Sequence, residues 1–190
     1  MSTLHRRAAI LLVLGLAAGE ASAQQHGGHE SPYVGMEKRP IKALSAEQLA
    51  DLREGRGMSL SLPAELNGYP GPRHVVELAA PLGLSAEQRA AVAALIPAMA
   101  AEAKAVGARI VAGEASLDRL FAERRADEGA VRAAAAEVGA LWAALRFVHL
   151  KYHLRAAALL TPEQIARYDA LRGYVGAPGD HGGADHRQRH

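Results

Sequence analysis

His149 and His153 are the side chains in this sequence best placed to do chemistry together. Successive helical residues turn by about 100°, so positions four apart project about 40° from each other and can offer two imidazole nitrogens to one ion. Measured from Leu145 as the centre of a buried stripe, His149 stands about 40° away and His153 about 80° away. The first then lies at the edge of the core and the second at its boundary, so that both are oriented and reachable. The alternative is a hydrogen-bonded core histidine at 149 and a surface histidine at 153. No acidic residue joins the pair locally, and Lys151 between them would repel a cation.

Other candidates lie near the ends. His26 and His29, followed by Glu30, form a His-Gly-Gly-His segment that can wrap Cu(II), Ni(II) or Zn(II), or fold over a site on the helices. His181, His186 and His190 repeat that chemistry at the other end, and incidental histidines in a polar tail are the plainer reading of both. Met58 is a possible soft ligand for Cu(I), although packing is the commoner role beside a glycine turn. His74, after Gly-Pro-Arg, is more simply a helix-start residue. The chain has nine histidines and no cysteine, so any Zn, Ni, Co or Cu ion would rest on His, Met and carboxylate ligands. A Gly-rich phosphate loop, a Gly-x-Ser-x-Gly elbow and a His-Glu-x-x-His pair are all absent. These absences point away from an enzyme.

The elements that must position these groups read as helices throughout. Leu44-Ser45-Ala46-Glu47-Gln48, Leu84-Ser85-Ala86-Glu87-Gln88 and Leu160-Thr161-Pro162-Glu163-Gln164 share one pattern. In each the hydroxyl can cap the N–H three residues ahead while the glutamine reaches back, a capping box. Val92, Met99, Val106, Gly113 and Leu120 recur every seven residues, interleaved with Ile96, Ala103, Ile110 and Leu117. That seam predicts a long helix over residues 85–123, bent at Pro97. A second, from an Asp127 cap to about residue 158, carries Val131, Val138, Leu145 and Tyr152, flanked by Leu141, Trp142 and Val148. The short connection at 124–126 makes the two an antiparallel hairpin. Shorter helices are expected over 44–54, 74–82 and 161–174. The stretch 55–72 reads as a loop packed by Met58, Leu60, Leu62, Leu66 and Tyr69. The fold class is therefore all-α.

The N-terminus has the form of a secretory signal. Arg6 and Arg7 precede an apolar run, and Ala21-Ser22-Ala23 offers a cleavage site, so the mature chain is expected to begin at Gln24 in the periplasm. Removing residues 1–23 leaves 20 basic and 19 acidic side chains from the 22 and 20 of the whole chain. That balance gives no reason to expect nucleic acid. The resulting organisation is a signal peptide over 1–23, a loose histidine-containing segment over 24–32, a helical domain over 33–175 and a polar tail over 176–190.

The capping-box repeats at 84–88 and 160–164 resemble the twin motif of the small periplasmic chaperones related to Spy and CpxP. The block Ala64-Glu65-Leu66-Asn67-Gly68-Tyr69-Pro70-Gly71-Pro72, with Ser31-Pro32-Tyr33, Ile41-Lys42-Ala43-Leu44-Ser45, Gly55-Arg56-Gly57-Met58 and His74-Val75, is similar to periplasmic heavy-metal sensor and resistance proteins. The resemblance spans residues 31–174 and implies a hooked helical hairpin. In the nickel- and cobalt-sensing members an N-terminal histidine pair meets a His-x-x-x-Met pair on a later helix, and a glutamate completes the site. His149 and His153 match the helix pair with His in place of Met, and His26 and His29 stand near the N-terminal pair with two intervening residues rather than three. Those sensors are membrane-anchored, whereas this chain reads as cleaved. The expectation is a homodimeric sensor or resistance protein binding a divalent or copper ion through His149, His153, His26 and His29. The alternatives are a metal-independent chaperone holding unfolded clients and a protein that packs against an envelope partner.

Overall fold

The computed structural model describes residues 31–174. Residues 31–34 form a turn in which the Val34 N–H reaches the Ser31 carbonyl at 3.1 Å. From Gly35 onward the described residues are helical and contain no strand. A 3₁₀ turn at Met36–Lys38 precedes α1 (Ala46–Glu54), α2 (Leu62–Glu65), α3 (Pro72–Glu77), α4 (Ala79–Leu82), α5 (Ala86–Ala122), α6 (Glu128–Ala157) and α7 (Pro162–Arg172).

Capping boxes open α1, α5 and α7. Gln48 N–H meets Ser45 Oγ at 3.1 Å, Gln88 N–H meets Ser85 Oγ at 3.1 Å, and Gln164 N–H meets Thr161 Oγ1 at 3.3 Å. In each the glutamine oxygen returns to the cap N–H, at 2.8, 3.1 and 2.9 Å. Such a cap stabilises a helix start by about 1 kcal/mol. Two of the boxes also meet each other. Gln88 Nε2 donates to Gln164 Oε1 and to the Leu159 carbonyl, both at 2.9 Å, and Gln164 Nε2 donates to Gln88 Oε1 at 3.0 Å. This reciprocal amide pair ties the start of α5 to the start of α7.

The hairpin is as the spacing predicts. Asp127 caps α6, and residues 123–127 reverse the chain, with Arg124 in the left-handed region at φ 53°. Contacts along α5 and α6 run in opposite order: Trp142 Nε1 donates to Glu114 Oε1 at 3.3 Å, and Tyr152 OH to Glu102 Oε1 at 2.7 Å. By length and hydropathy alone either helix would pass for a membrane span, but alanine supplies much of that apolarity. The expected α5 seam buries Val92, Ala103 and Ile110 fully and the other positions partly. Gly107 was not part of that seam and is buried because α1 crosses there. A β-carbon on Gly107 would lie 2.2 Å from the Leu52 carbonyl oxygen. Two apolar clusters result, one around Leu52, Ile110, Leu145 and Tyr152, the other around Val75, Leu82, Val92 and Tyr168.

Three short-range expectations need correction. The single helix over 74–82 is two helices meeting at Leu78. Pro81 supplies the reason, since its ring excludes a helical carbonyl four residues earlier, at Glu77. In the 55–72 stretch Met58 and Leu60 pack against the first cluster, but Leu62, Leu66 and Tyr69 are exposed. A single turn of helix turns only one face inward, and in α2 that face carries Ala64 and Glu65. The last helix ends at Arg172 rather than at 174, because Gly173 adopts the left-handed conformation that stops it, at φ 73°.

Candidate metal site

α6 carries His149 and His153 on the row that also buries Leu145, Tyr152 and Ala156. Both histidines are buried, at 2% and 7% exposure, rather than at the edge and boundary of the core. Packing against α5 alone would leave both nearer the boundary. In the fold, α2 and α3 also pack on α6 and widen its buried face. Lys151 does not oppose a cation here, because Glu102 on α5 pairs with it.

A cavity of about 620 Å³ opens beside the pair. On α5 its wall is Ile96, Met99 and Ala100, which lie between Val92 of one apolar cluster and Ala103 of the other. Gly57, Glu65, Gly71 and His74 line other sides, with Arg172 and Tyr174 at the C-terminal end of the described chain.

Both histidines belong to the cavity lining. His153 Nδ1 lies 2.7 Å from the Tyr69 carbonyl oxygen, which can only accept, so Nδ1 carries a proton and the ring is held by it. Ligating histidines are commonly oriented by such a bond from the other ring nitrogen. Beside that ring is Gly71, where a β-carbon would lie 2.9 Å from His153 Cε1 and 3.1 Å from Nε2. His149 Nε2 is buried and has no hydrogen-bond partner among the described residues. Burial, and secondly the nearby His153, hold its pKa below the ordinary histidine value. His149 is therefore a core histidine, but its Nε2 lacks the hydrogen bond the plainer sequence reading assumed.

Glu65 was not singled out in the sequence, beyond its place in the 64–72 block. Its Oε1 accepts from the Tyr168 and Tyr174 hydroxyls, the latter at 3.0 Å, and its Oε2 accepts from the Gly71 N–H at 3.0 Å. Arg172 and His74 approach Oε1 at 3.8 and 3.5 Å, and His153 Nδ1 approaches Oε2 at 3.7 Å. Burial by itself raises the Glu65 carboxyl; the bonds from Tyr168, Gly71 and Tyr174, with His74, outweigh it and leave the pKa lowered. Tyr168 is pushed well up by burial and by its bond to Glu65, so it stays a donor. The detectable signal was an acidic residue amid Gly, Pro and apolar neighbours. Among the described residues no three His, Asp or Glu groups converge to hold one ion by themselves. His26, His29, His181, His186 and His190 lie outside the described residues.

The family model for heavy-metal resistance proteins matches residues 64–167, more than half of the chain. The chain belongs to the heavy-metal resistance family. No curated protein and no solved structure matches it. The family span takes in Glu65, Gly71, His74, Met99, His149 and His153, and stops just short of Tyr168 and Arg172. Two imidazoles one helical turn apart, both lining one cavity, suit the metal interaction that the family implies.

Proposed function

We propose that this protein is a periplasmic sensor or resistance protein that holds a divalent or copper ion through His149 and His153. His26 and His29 join them from the N-terminal segment, and the role is binding rather than catalysis. The observation that carries this reading is His149, a residue of the cavity lining whose buried Nε2 has no hydrogen-bond partner among the described residues. An unsatisfied buried polar atom costs about 1–3 kcal/mol, and a bound ion would offset that cost. The pattern at residues 6–23 supports export, and membership in the heavy-metal resistance family supports a metal as the ligand. Calorimetric titration of the untagged chain with Zn(II), Ni(II), Co(II) and Cu(II) tests it. Tight binding of one ion per chain is expected, abolished in the H149A/H153A double variant and weakened by deleting residues 24–30. No binding to the parent would bring forward the metal-independent chaperone, and undiminished binding in the double variant would move the site off α6.

A further inference from the structure

α6 buries one side and carries an apolar stripe on the other. Ala136, Ala140, Ala143, Phe147, Leu150 and Leu154 follow each other at intervals of 4, 3, 4, 3 and 4 residues. At about 100° per residue all six stand within about 40° of the point opposite Leu145, the centre of the buried side. Phe147 is 62% exposed and Leu154 53%, the three alanines are exposed, and Leu150 is partly so. The outward face of a surface helix ordinarily carries charge. Between residues 136 and 154 no charged side chain falls on this stripe, and Glu137, Arg146 and Lys151 stand at its edges. The neighbours of α6 in the fold, α5, α2 and α3, take up its buried side and leave the stripe uncovered.

Apolar residues at alternating steps of three and four are the seam along which one helix pairs with another, and the charges at its edges set the direction. In a parallel pair of identical helices Phe147, Leu150 and Leu154 would each face their own copy, and the alanines would face alanines. The large layers would hold the axes apart where the small ones need them close. In an antiparallel pair with Phe147 against Ala143, Leu150 meets Ala140 and Leu154 meets Ala136. Every layer then joins one large and one small side chain.

The edge charges favour the same direction. Antiparallel, Glu137 of each copy lies beside Lys151 of the other, two unlike pairs against one contact between the two Arg146 side chains. Parallel, two Arg132–Glu137 pairs are offset by two Arg146–Lys151 pairs. Lys151 already meets Glu102, but an ammonium has three donors.

We infer that a second copy of this chain docks along this seam, with the two α6 helices antiparallel and Phe147 of each over Ala143 of the other. The stripe is about 27 Å long, at the small end of specific interfaces, so association is in the micromolar range. His149 and His153 stand about 40° and about 80° from Leu145, outside the seam. The pairing therefore does not rest on the metal reading, and each stands or falls by its own test.

Sedimentation equilibrium of the untagged chain across the micromolar range should show monomers in exchange with dimers. Phe147→Ser combined with Leu154→Ser removes two exposed side chains and should leave a monomer with the helicity and thermal midpoint of the parent. Glu137→Lys should weaken pairing several-fold at low salt and less at high salt. The chain has no cysteine, so a single introduced one reports direction. In the antiparallel register position 143 lies about 6 Å along the axis from its own copy and position 136 about 27 Å. A short bismaleimide should therefore join Ala143→Cys chains and leave Ala136→Cys chains apart. Equal joining at both positions would mean a parallel pair, and dimers that survive the double serine variant would mean another surface; either overturns the inference. A parent that stays monomeric also overturns it. If that monomer binds anionic phospholipid vesicles or an unfolded protein, and the double serine variant does not, the stripe belongs to that occupant instead.

Discussion

The partly buried Gln88–Gln164 clasp and the buried His149–His153 wall lie on the same helical framework and treat their polar groups in opposite ways. In the clasp each amide oxygen and nitrogen has a protein partner: the two glutamines bond each other, their own caps and the Leu159 carbonyl. At the wall, His149 Nε2 has none among the described residues. A satisfied polar network adds stability and fixes geometry, whereas an unsatisfied one subtracts stability and is kept only where something else needs it. A polar side chain on a helix therefore serves the fold at one place and, under the proposed function, a ligand at the other.

Replacing His149 should break the comparison most sharply. His149→Leu is expected to lower metal affinity by more than the roughly 10–100-fold that outer-shell partners account for. It should also raise the stability of the metal-free protein by about 1 kcal/mol, since an orphaned buried atom disappears. The pH dependence follows from the same group. The His149 pKa lies below 6.5 in the fold, so below that pH the unfolded chain takes up a proton that the folded chain refuses. The parent should lose stability as pH falls from about 6.5 to the depressed value, and His149→Leu should lack that component. Thermal unfolding across this window, with titration at pH 7.5, checks both. A less stable metal-free variant would mean that His149 is a satisfied packing residue.

The clasp predicts the reverse. Gln88→Ala removes bonds to Gln164, Leu159 and the Ser85 cap. At about 0.5–1.5 kcal/mol for each net hydrogen bond, a loss of about 2 kcal/mol is expected. The urea midpoint should fall with an unchanged slope, and metal affinity should stay as in the parent. Gln164→Ala should add less than its own effect when combined with Gln88→Ala, because the two share bonds. Strict additivity would show that the amides act only as separate caps.

How much of this was legible in the sequence follows from the range of each interaction. The caps at Ser45, Ser85, Asp127 and Thr161 are local, and residue type and spacing predict them. The hairpin is legible because its seam repeats over many turns. The amide pair joins residues 76 apart, and nothing in either motif announces the other. Burial of His149 and His153 depends on α2 and α3, whose short helices leave little periodic signal. Glu65 was hidden for a related reason. A carboxylate is read as a surface residue until its donors are known, and Tyr168 and Tyr174 lie more than a hundred residues away.

The smallest effects separate the two glycines that face the two rings. Gly71 has φ −75° and ψ 142°, a conformation alanine accepts, so Gly71→Ala acts through contact rather than backbone strain. Its β-carbon would stand 2.9 Å from His153 Cε1 and 3.1 Å from Nε2, so the ring has to move and stretch its 2.7 Å bond to the Tyr69 carbonyl. Metal affinity should fall about tenfold, the low end of outer-shell effects, and stability by about 1 kcal/mol, one hydrogen bond. At Gly57 the added β-carbon would lie 3.8 Å from His149 Nδ1 and Cε1, ordinary van der Waals contact on the Nδ1–Cε1 edge of the ring. Gly57→Ala should therefore change stability by no more than about 0.5 kcal/mol and leave affinity close to that of the parent. Calorimetry and thermal unfolding on the two variants side by side measure the difference. Equal losses of affinity would mean that ring position at His153 does not govern binding, and a larger loss at Gly57 would place the ion on the Nδ1 edge of His149 instead.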